Sequence, residues 1–379
     1  MQPRDLSTHA TYEAGRGIEE VARELGRDPD EFVKLASNEN PHGPSPRAVE
    51  TLREHVENVH TYPKAAHADL TEAIAERWNL DPSQVWLANG GDGAIDYLSR
   101  AMLEPGDRIL VPEPGFAYYA MSARFHHGRV ETYALERETD FAQDAPTVLS
   151  VYDGHRIVYL TSPHNPTGST IALEDVREIA AETDDSTLVV VDEAYGEFAD
   201  VSSARSLIAI EAKPEGRDDV AVLRTFSKAF GLAGLRLGYA LVPPAWADAY
   251  ARVTTPFAAS EPACRAGLTA LSDDEHVAET VESARWARAY MNDHLDAPVV
   301  AGQGNFVLVT VGDASDVSDR LQSRGIIVRD CTSFGLPEYV RISCGTESET
   351  RRAVAALNEV LADRPPSDTD ESDDGVIDS

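Results

Sequence analysis

The sequence predicts an α/β protein, a mainly parallel sheet covered by helices with a smaller C-terminal α/β domain after it, and three observations carry that expectation. Short β-branched runs alternate with longer stretches of helical period up to about residue 255, the pattern of parallel strands joined by crossover helices. Beyond that point the texture shifts to one long helical stretch, followed by a second and shorter alternation of strands and helices. The 379 residues also exceed the roughly 100–200 of a typical single domain.

Taken in order, residues 1–40 read as an N-terminal arm. Residues 41–255 form the large domain, with strands expected at 85–88, 108–111, 156–160, 188–191, 220–225 and 237–242. Helices are expected between them at 70–78, 93–103 and 172–181. Residues 256–363 form the small domain: a helix over 275–295, strands at 306–311, 326–329 and 339–343, and helices at 314–324 and 347–361. Residues 364–379 are an acidic tail, with six acidic side chains among Pro, Ser and Gly, and too few apolar groups to order it. No internal repeat is present.

The formal charge is −32, from 33 basic and 65 acidic side chains, so nucleic acid and anionic membrane are repelled and neither is expected as a partner. An excess of carboxylates keeps a protein soluble in concentrated salt, where the Debye length is about 3 Å at 1 M. A halophilic source is the expectation, with an ordinary acidic cytoplasmic protein as its rival. No run of about 18 apolar residues appears, and residues 1–10 lack the apolar stretch of a secretory signal. The expected location is therefore the cytoplasm. Cys264, Cys331 and Cys344 are far apart and in no metal-ligand spacing, so buried free thiols are expected and no metal.

Only four basic residues are lysines: Lys34, Lys64, Lys213 and Lys228. Lys228 stands out in Thr225-Phe226-Ser227-Lys228, where a strand gives way to a helix and open α/β sheets bind their ligands. A lysine buried there is penalised by desolvation, and covalent chemistry relieves that cost. Arg236 follows, leading into the next strand. The strand at 188–191 ends in Asp192-Glu193-Ala194-Tyr195, bringing a carboxylate and a phenol to the same edge. By itself an acid ending a strand is commonly a helix N-cap. After 156–160 comes Thr161-Ser162-Pro163-His164-Asn165-Pro166-Thr167-Gly168, whose prolines hold the Asn165 amide in a fixed direction; alone, this is a turn. Strand 85–88 runs into Asn89-Gly90-Gly91-Asp92-Gly93 and a helix, where exposed N–H groups and the dipole end make an anion cradle. A plain tight turn is the commoner meaning of such glycines.

All four segments lie at strand ends, and together they resemble the fold-type I aminotransferases of class I and II. The resemblance implies a seven-stranded sheet in the large domain and pyridoxal 5′-phosphate (PLP) as cofactor. It implies that Lys228 carries the cofactor, that Asp192 pairs with its ring nitrogen, and that Tyr195 and Asn165 hydrogen-bond its ring hydroxyl. Ser227, Arg236 and the backbone of Gly91, Asp92 and Gly93 match the family's phosphate-binding groups. Phe116, in Glu113-Pro114-Gly115-Phe116, matches its ring-stacking aromatic.

The resemblance narrows to the branch that acts on histidinol phosphate. Leu35-Ala36-Ser37-Asn38-Glu39-Asn40-Pro41 with Gly43-Pro44-Ser45-Pro46 is similar to its N-terminal motif, and implies that Asn38 meets the substrate. Tyr62-Pro63 resembles a pair whose tyrosine reaches the PLP phosphate of the partner subunit, implying a homodimer. Val328-Arg329-Asp330 and Val340-Arg341-Ile342 resemble its two substrate-binding arginines, and Tyr12 its arm residue that closes over the substrate. Gly93, His164 and Gly115 depart from the pattern, standing where glutamate, asparagine and threonine are frequent. The implied reaction interconverts L-histidinol phosphate plus 2-oxoglutarate with imidazole-acetol phosphate plus L-glutamate, in histidine biosynthesis.

Rivals within the fold are an aromatic amino-acid aminotransferase and a threonine-phosphate decarboxylase, which also binds a phosphorylated amine. From another class, a PLP-sensing transcription regulator needs a DNA-binding module, for which the arm is too short and the charge wrong. An inactive binding protein has no need of Lys228.

Overall fold

The computed structural model describes residues 1–2, 5–13, 15–64, 66–209 and 216–363; the acidic tail and Lys213 lie outside the described residues. Among them a seven-stranded sheet runs, in spatial order, through Val85–Ala88, Gly238–Leu241, Val220–Thr225, Leu188–Asp192, Ile157–Thr161, Arg108–Glu113 and Arg129–Ala134. All neighbours are parallel except Gly238–Leu241, which is antiparallel to both strands beside it.

The central strands are buried on both faces, and the alternation of their side chains builds two cores. Val158, Leu160, Val189, Val191, Val220 and Val222 belong to one, and Ile157, Tyr159, Leu188, Val190, Ala221 and Leu223 to the other. The period continues past the apolar run and sends neighbouring acids to opposite faces. Asp192 follows Leu188 and Val190, whereas Glu193 follows Val189 and Val191 to meet Arg224. That buried guanidinium lies 3.5 Å from Glu193, 3.4 Å from Glu197 and 4.5 Å from the Trp78 ring centre. Two adjacent carboxylates therefore have separate tasks.

A second sheet of five strands runs Val33–Leu35, Ile326–Asp330, Tyr339–Ser343, Phe306–Thr310 and Val299–Val300. Its first strand comes from residues expected to be arm, and pairs in parallel with Ile326–Asp330. The arm is thus tied to the small sheet by a pairing that spans most of the chain, which no local pattern reveals. Helices Asp274–His294 and Glu347–Ala362 accompany this sheet, the latter opened by a capping box of Thr346 and Glu349.

The strand Arg129–Ala134 was not expected. It is the sheet's edge, and in Arg-Val-Glu-Thr-Tyr-Ala only Tyr133 is fully buried, so it lacks the apolar run of an interior strand. The helices Pro46–His55 and Glu261–Leu271 were also missed. They pack together, with the hydroxyls of Thr51 and Thr269 3.0 Å apart.

The antiparallel strand explains how Arg236 reaches the site. Gly238 pairs with both Ala88 and Thr225, so the start of that strand meets the ends of its two neighbours. A Cβ on Gly238 would stand 2.6 Å from the Gly90 carbonyl carbon, so only glycine permits this approach of two backbones.

Candidate active site

Along that edge opens a cavity of about 590 Å³, walled by both sheets and by the arm. Lys228, Asp192, Tyr195, Asn165, Ser227, Arg236, Gly91, Asp92, Phe116, Tyr12, Arg329 and Arg341 all line it. Residues separated by more than three hundred positions are brought to one wall.

Lys228 donates from Nζ to the Ser37 carbonyl at 3.2 Å, and the same nitrogen lies 5.4 Å from the centre of the Tyr195 ring. Lys34 is paired with Glu39 and Lys64 with Asp69, both away from the cavity. Among the described residues Lys228 is the lysine on its wall.

Asp192 accepts the Ala194 N–H on Oδ1 at 2.9 Å and the Tyr119 hydroxyl on Oδ2 at 2.7 Å. Burial pushes its carboxyl up to about 6 from 3.8, against the opposing pull of those two bonds. A raised carboxyl favours the folded chain when protonated, so this stabilisation is complete below pH 3.8 and is lost as pH rises through about 6. In ligand-free protein, Asp192→Asn should therefore gain stability over the wild type between about pH 4 and about pH 7. The gain is at most roughly 3 kcal/mol. Denaturant midpoints across that range check it, and a difference that does not change with pH would contradict it.

The helix Gly90–Met102 starts at the cavity with no side-chain cap from Asn89, so its first N–H groups lack intrahelical partners. Asp92 instead accepts from Arg236 Nη2 at 2.7 Å. A Cβ built on Gly91 meets nothing within 4 Å, which leaves open space at the helix end. Gly93, expected in the cradle, is not on the wall. It is the fourth residue of a helix that begins three residues earlier than the sequence suggested. Ser227 is buried, its hydroxyl accepting from Thr225 Oγ1 at 3.0 Å.

Arg341 is 6% exposed and Arg329 stands directly opposite it on the paired strand. Arg341 donates to Ala36 O at 2.9 Å and, from Nη1, to Asn165 Oδ1. Oδ1 accepts that bond, and Nδ2, the donor of the Asn165 amide, is left to face elsewhere. Arg329 donates to the Glu13 carbonyl at 3.0 Å and to Ser333 Oγ at 2.7 Å, linking arm to sheet. Phe334 lies under both guanidinium groups, 5.5 Å from Arg329 and 6.0 Å from Arg341. Tyr12 meets Phe116 edge-on, with ring centres 6.2 Å apart.

One further expectation is corrected. Asn38, expected to meet the substrate, is 1% exposed and not on the cavity wall. Its φ of 53° turns the side chain behind Tyr195, where Nδ2 donates to the phenol oxygen at 3.0 Å and Oδ1 accepts from Ser343 at 3.0 Å. Asn38 therefore orients Tyr195. Tyr62, expected to reach a partner subunit, lies away from its own chain's cavity; it is 82% exposed and packs at 4.9 Å on the half-exposed Phe257. His164, one of the departures from the pattern, is buried off the cavity wall, and burial holds its imidazole down at about 3. It stays neutral. Sequence reasoning missed Tyr119, Thr161 and Phe334. Tyr119 follows Phe116 at a spacing of three, and that aromatic pair was the available signal.

The family described as aminotransferase class I and II matches residues 30–357. The histidinol-phosphate aminotransferase of Halorubrum lacusprofundi is 66% identical over 363 residues, 96% of this chain and 98% of its own. That of Haloarcula marismortui is 64% identical over 361 residues, 95% of this chain and 99% of its own. Both are from halophilic archaea. Among solved structures, the histidinol-phosphate aminotransferase of Sinorhizobium meliloti in complex with pyridoxal-5′-phosphate is similar, with a TM-score of 0.84 and 28% identity. The match covers 95% of this chain and 98% of that one.

Proposed function

The chain belongs to the class I and II aminotransferases, and on that premise we propose that it uses PLP to interconvert L-histidinol phosphate plus 2-oxoglutarate with imidazole-acetol phosphate plus L-glutamate. The observation that carries this substrate choice is the pair Arg329 and Arg341. Like charges directly opposite one another in a sheet are unfavourable, and burial lowers the Arg341 pKa. An anion held between the two relieves that cost, and two forked guanidinium groups suit a phosphate near its dianionic form.

The residues present fit PLP. Lys228 offers an amine for its aldehyde, buried Asp192 a carboxylate for its pyridine nitrogen, and Phe116 an aromatic face. The open helix end at Gly91 and Asp92, with Ser227 and Arg236, is a donor set for its phosphate. When bound, PLP supplies the electron sink that makes the substrate Cα proton removable.

Lys228 takes that proton from the substrate Cα, and its reach is set by the Ser37 carbonyl and the Tyr195 ring. Asp192 would hold the ring nitrogen, and its negative charge would favour the protonated ring in which the sink is strongest. Asn38 fixes the Tyr195 hydroxyl, and Arg341 fixes the Asn165 amide, so two donors already oriented would hold the ring hydroxyl. Tyr12, half-exposed on the arm that Arg329 holds through the Glu13 carbonyl, would cover the substrate side. Single-turnover absorbance changes with histidinol phosphate, glutamate, phenylalanine and threonine phosphate test the assignment. Fast amino transfer from the first two supports it, and preference for phenylalanine, or carbon dioxide release from threonine phosphate, would replace it with one of its rivals.

A two-fold dimer is part of the proposal, supported by the exposed apolar groups Val59, Tyr62 and Phe257 around one surface hollow. Each Tyr62 would then complete the partner's phosphate site. Mixing inactive Lys228→Ala with an inactive Tyr62→Phe protein should restore activity toward one working site per exchanged dimer. Proven subunit exchange without recovery would confine Tyr62 to its own chain.

Among the described residues no helix is long and apolar enough to cross a membrane, and the biosynthetic role is what supports a place in the cytoplasm. With a charge of −32, its melting temperature should climb steeply as KCl is raised toward molar concentrations, because salt screens carboxylate repulsion. Highest stability in dilute buffer would contradict a salt-adapted surface.

A further inference from the structure

We infer that Tyr119 is a positioning residue for the Asp192 carboxylate, held in turn by Thr161, and that this directed chain keeps Asp192 ionised and aimed at the cofactor nitrogen. The inference rests on the proposed pairing of Asp192 with PLP.

The direction of the chain follows from donor arithmetic. The Tyr119 hydroxyl is 2.7 Å from Asp192 Oδ2 and 3.0 Å from Thr161 Oγ1. An ionised carboxylate only accepts, so the single phenol proton goes to Asp192 and the Thr161 hydroxyl must donate to the phenol oxygen. Asp192 Oδ1 is directed by the Ala194 N–H. Both oxygens are thereby fixed, and a carboxylate with about four acceptor sites still has room for a ring N–H.

The ring of Tyr119 is as constrained as its hydroxyl. It is 1% exposed, stacks on Tyr159 with centres 4.5 Å apart, and meets Phe116 edge-on at 5.5 Å. Phe116 is one of the aromatics on the cavity wall, so one buried tyrosine braces both the proposed ring-stacking face and the proposed ring-nitrogen partner. The neighbouring charges oppose ionisation of Asp192: Asp92 and Glu193 both raise its carboxyl, and burial raises it most. The Tyr119 bond is the largest influence acting the other way. Without it, the carboxyl holds its own proton more tightly and leaves the ring nitrogen less protonated.

The test compares Tyr119→Phe, Thr161→Val and Asp192→Asn with wild type, each loaded with PLP labelled with ¹⁵N at the ring nitrogen. The nitrogen chemical shift reads protonation directly, alongside PLP affinity and the single-turnover rate. Tyr119→Phe should move the shift toward that of neutral pyridine and slow proton removal about 10-fold, the size expected for one hydrogen bond to a charged group. Its PLP affinity should stay within about threefold of wild type. Thr161→Val should shift the nitrogen signal in the same direction by less, and it carries the test if Tyr119→Phe does not fold. A wild-type signal in both variants, while Asp192→Asn moves it, overturns the role of Tyr119 and leaves the Asp192 pairing standing. A wild-type signal in Asp192→Asn as well overturns the pairing itself, and the inference with it.

Discussion

Replacing Lys228 by alanine should abolish turnover, by about 10⁴-fold, the upper end for loss of a general acid–base group, because the same amine also carries the cofactor. The helix end at Gly91, with Ser227 and Arg236, does not depend on that amine. PLP should therefore still bind, but without a covalent link to the chain. Borohydride reduction followed by peptide mass analysis reads this: wild type retains the label on Lys228, and the variant retains none. Label on Lys34 or Lys64 would refute the assignment. Their ion pairs with Glu39 and Asp69 are the physical reason to expect neither.

Arg341→Leu should be the next most damaging change and should slow both half-reactions, by about 10- to 10²-fold for each charge-assisted bond lost. It should also cost stability. Arg341 is buried and donates to Ala36 O and Asn165 Oδ1, and each acceptor left unpaired costs about 1–3 kcal/mol. Arg341→Lys separates the two effects, since it keeps the charge and loses the fork. Arg329 is partly exposed, so Arg329→Leu should leave stability nearly unchanged. It should hurt histidinol phosphate more than glutamate, because the second positive charge matters most to a dianion. Wild-type rates with both substrates in both variants would move the anion site elsewhere.

Much of this was legible in the sequence because strand-end chemistry is local. The segments around Lys228, Asp192, Asn165 and Gly91 each announce a junction, and the sheet gathers junctions at one edge. Asp192 and Glu193 show where reading stopped. Only the alternation along the strand Leu188–Asp192, fixed by which face each core covers, sends one acid to the cavity and the other to Arg224. Asn38 was expected at the substrate because a motif gives membership and not direction, and its left-handed backbone turns it behind Tyr195. Tyr119 was not singled out, because its partner Asp192 is 73 positions away. The parallel pairing of Val33–Leu35 with Ile326–Asp330 is likewise a contact between distant segments, and edge strand Arg129–Ala134 lacks the apolar pattern that marks a strand.

Selection of a phosphorylated amine by Arg329 and Arg341 is read most directly in the ratio of single-turnover kcat/KM for histidinol phosphate over histidinol in the wild-type protein. These two molecules differ only in the phosphate. Two charge-assisted interactions of about 1.5–3 kcal/mol each predict a preference of roughly 10² to 10⁴. A ratio near unity would show that the paired arginines do not hold the substrate phosphate.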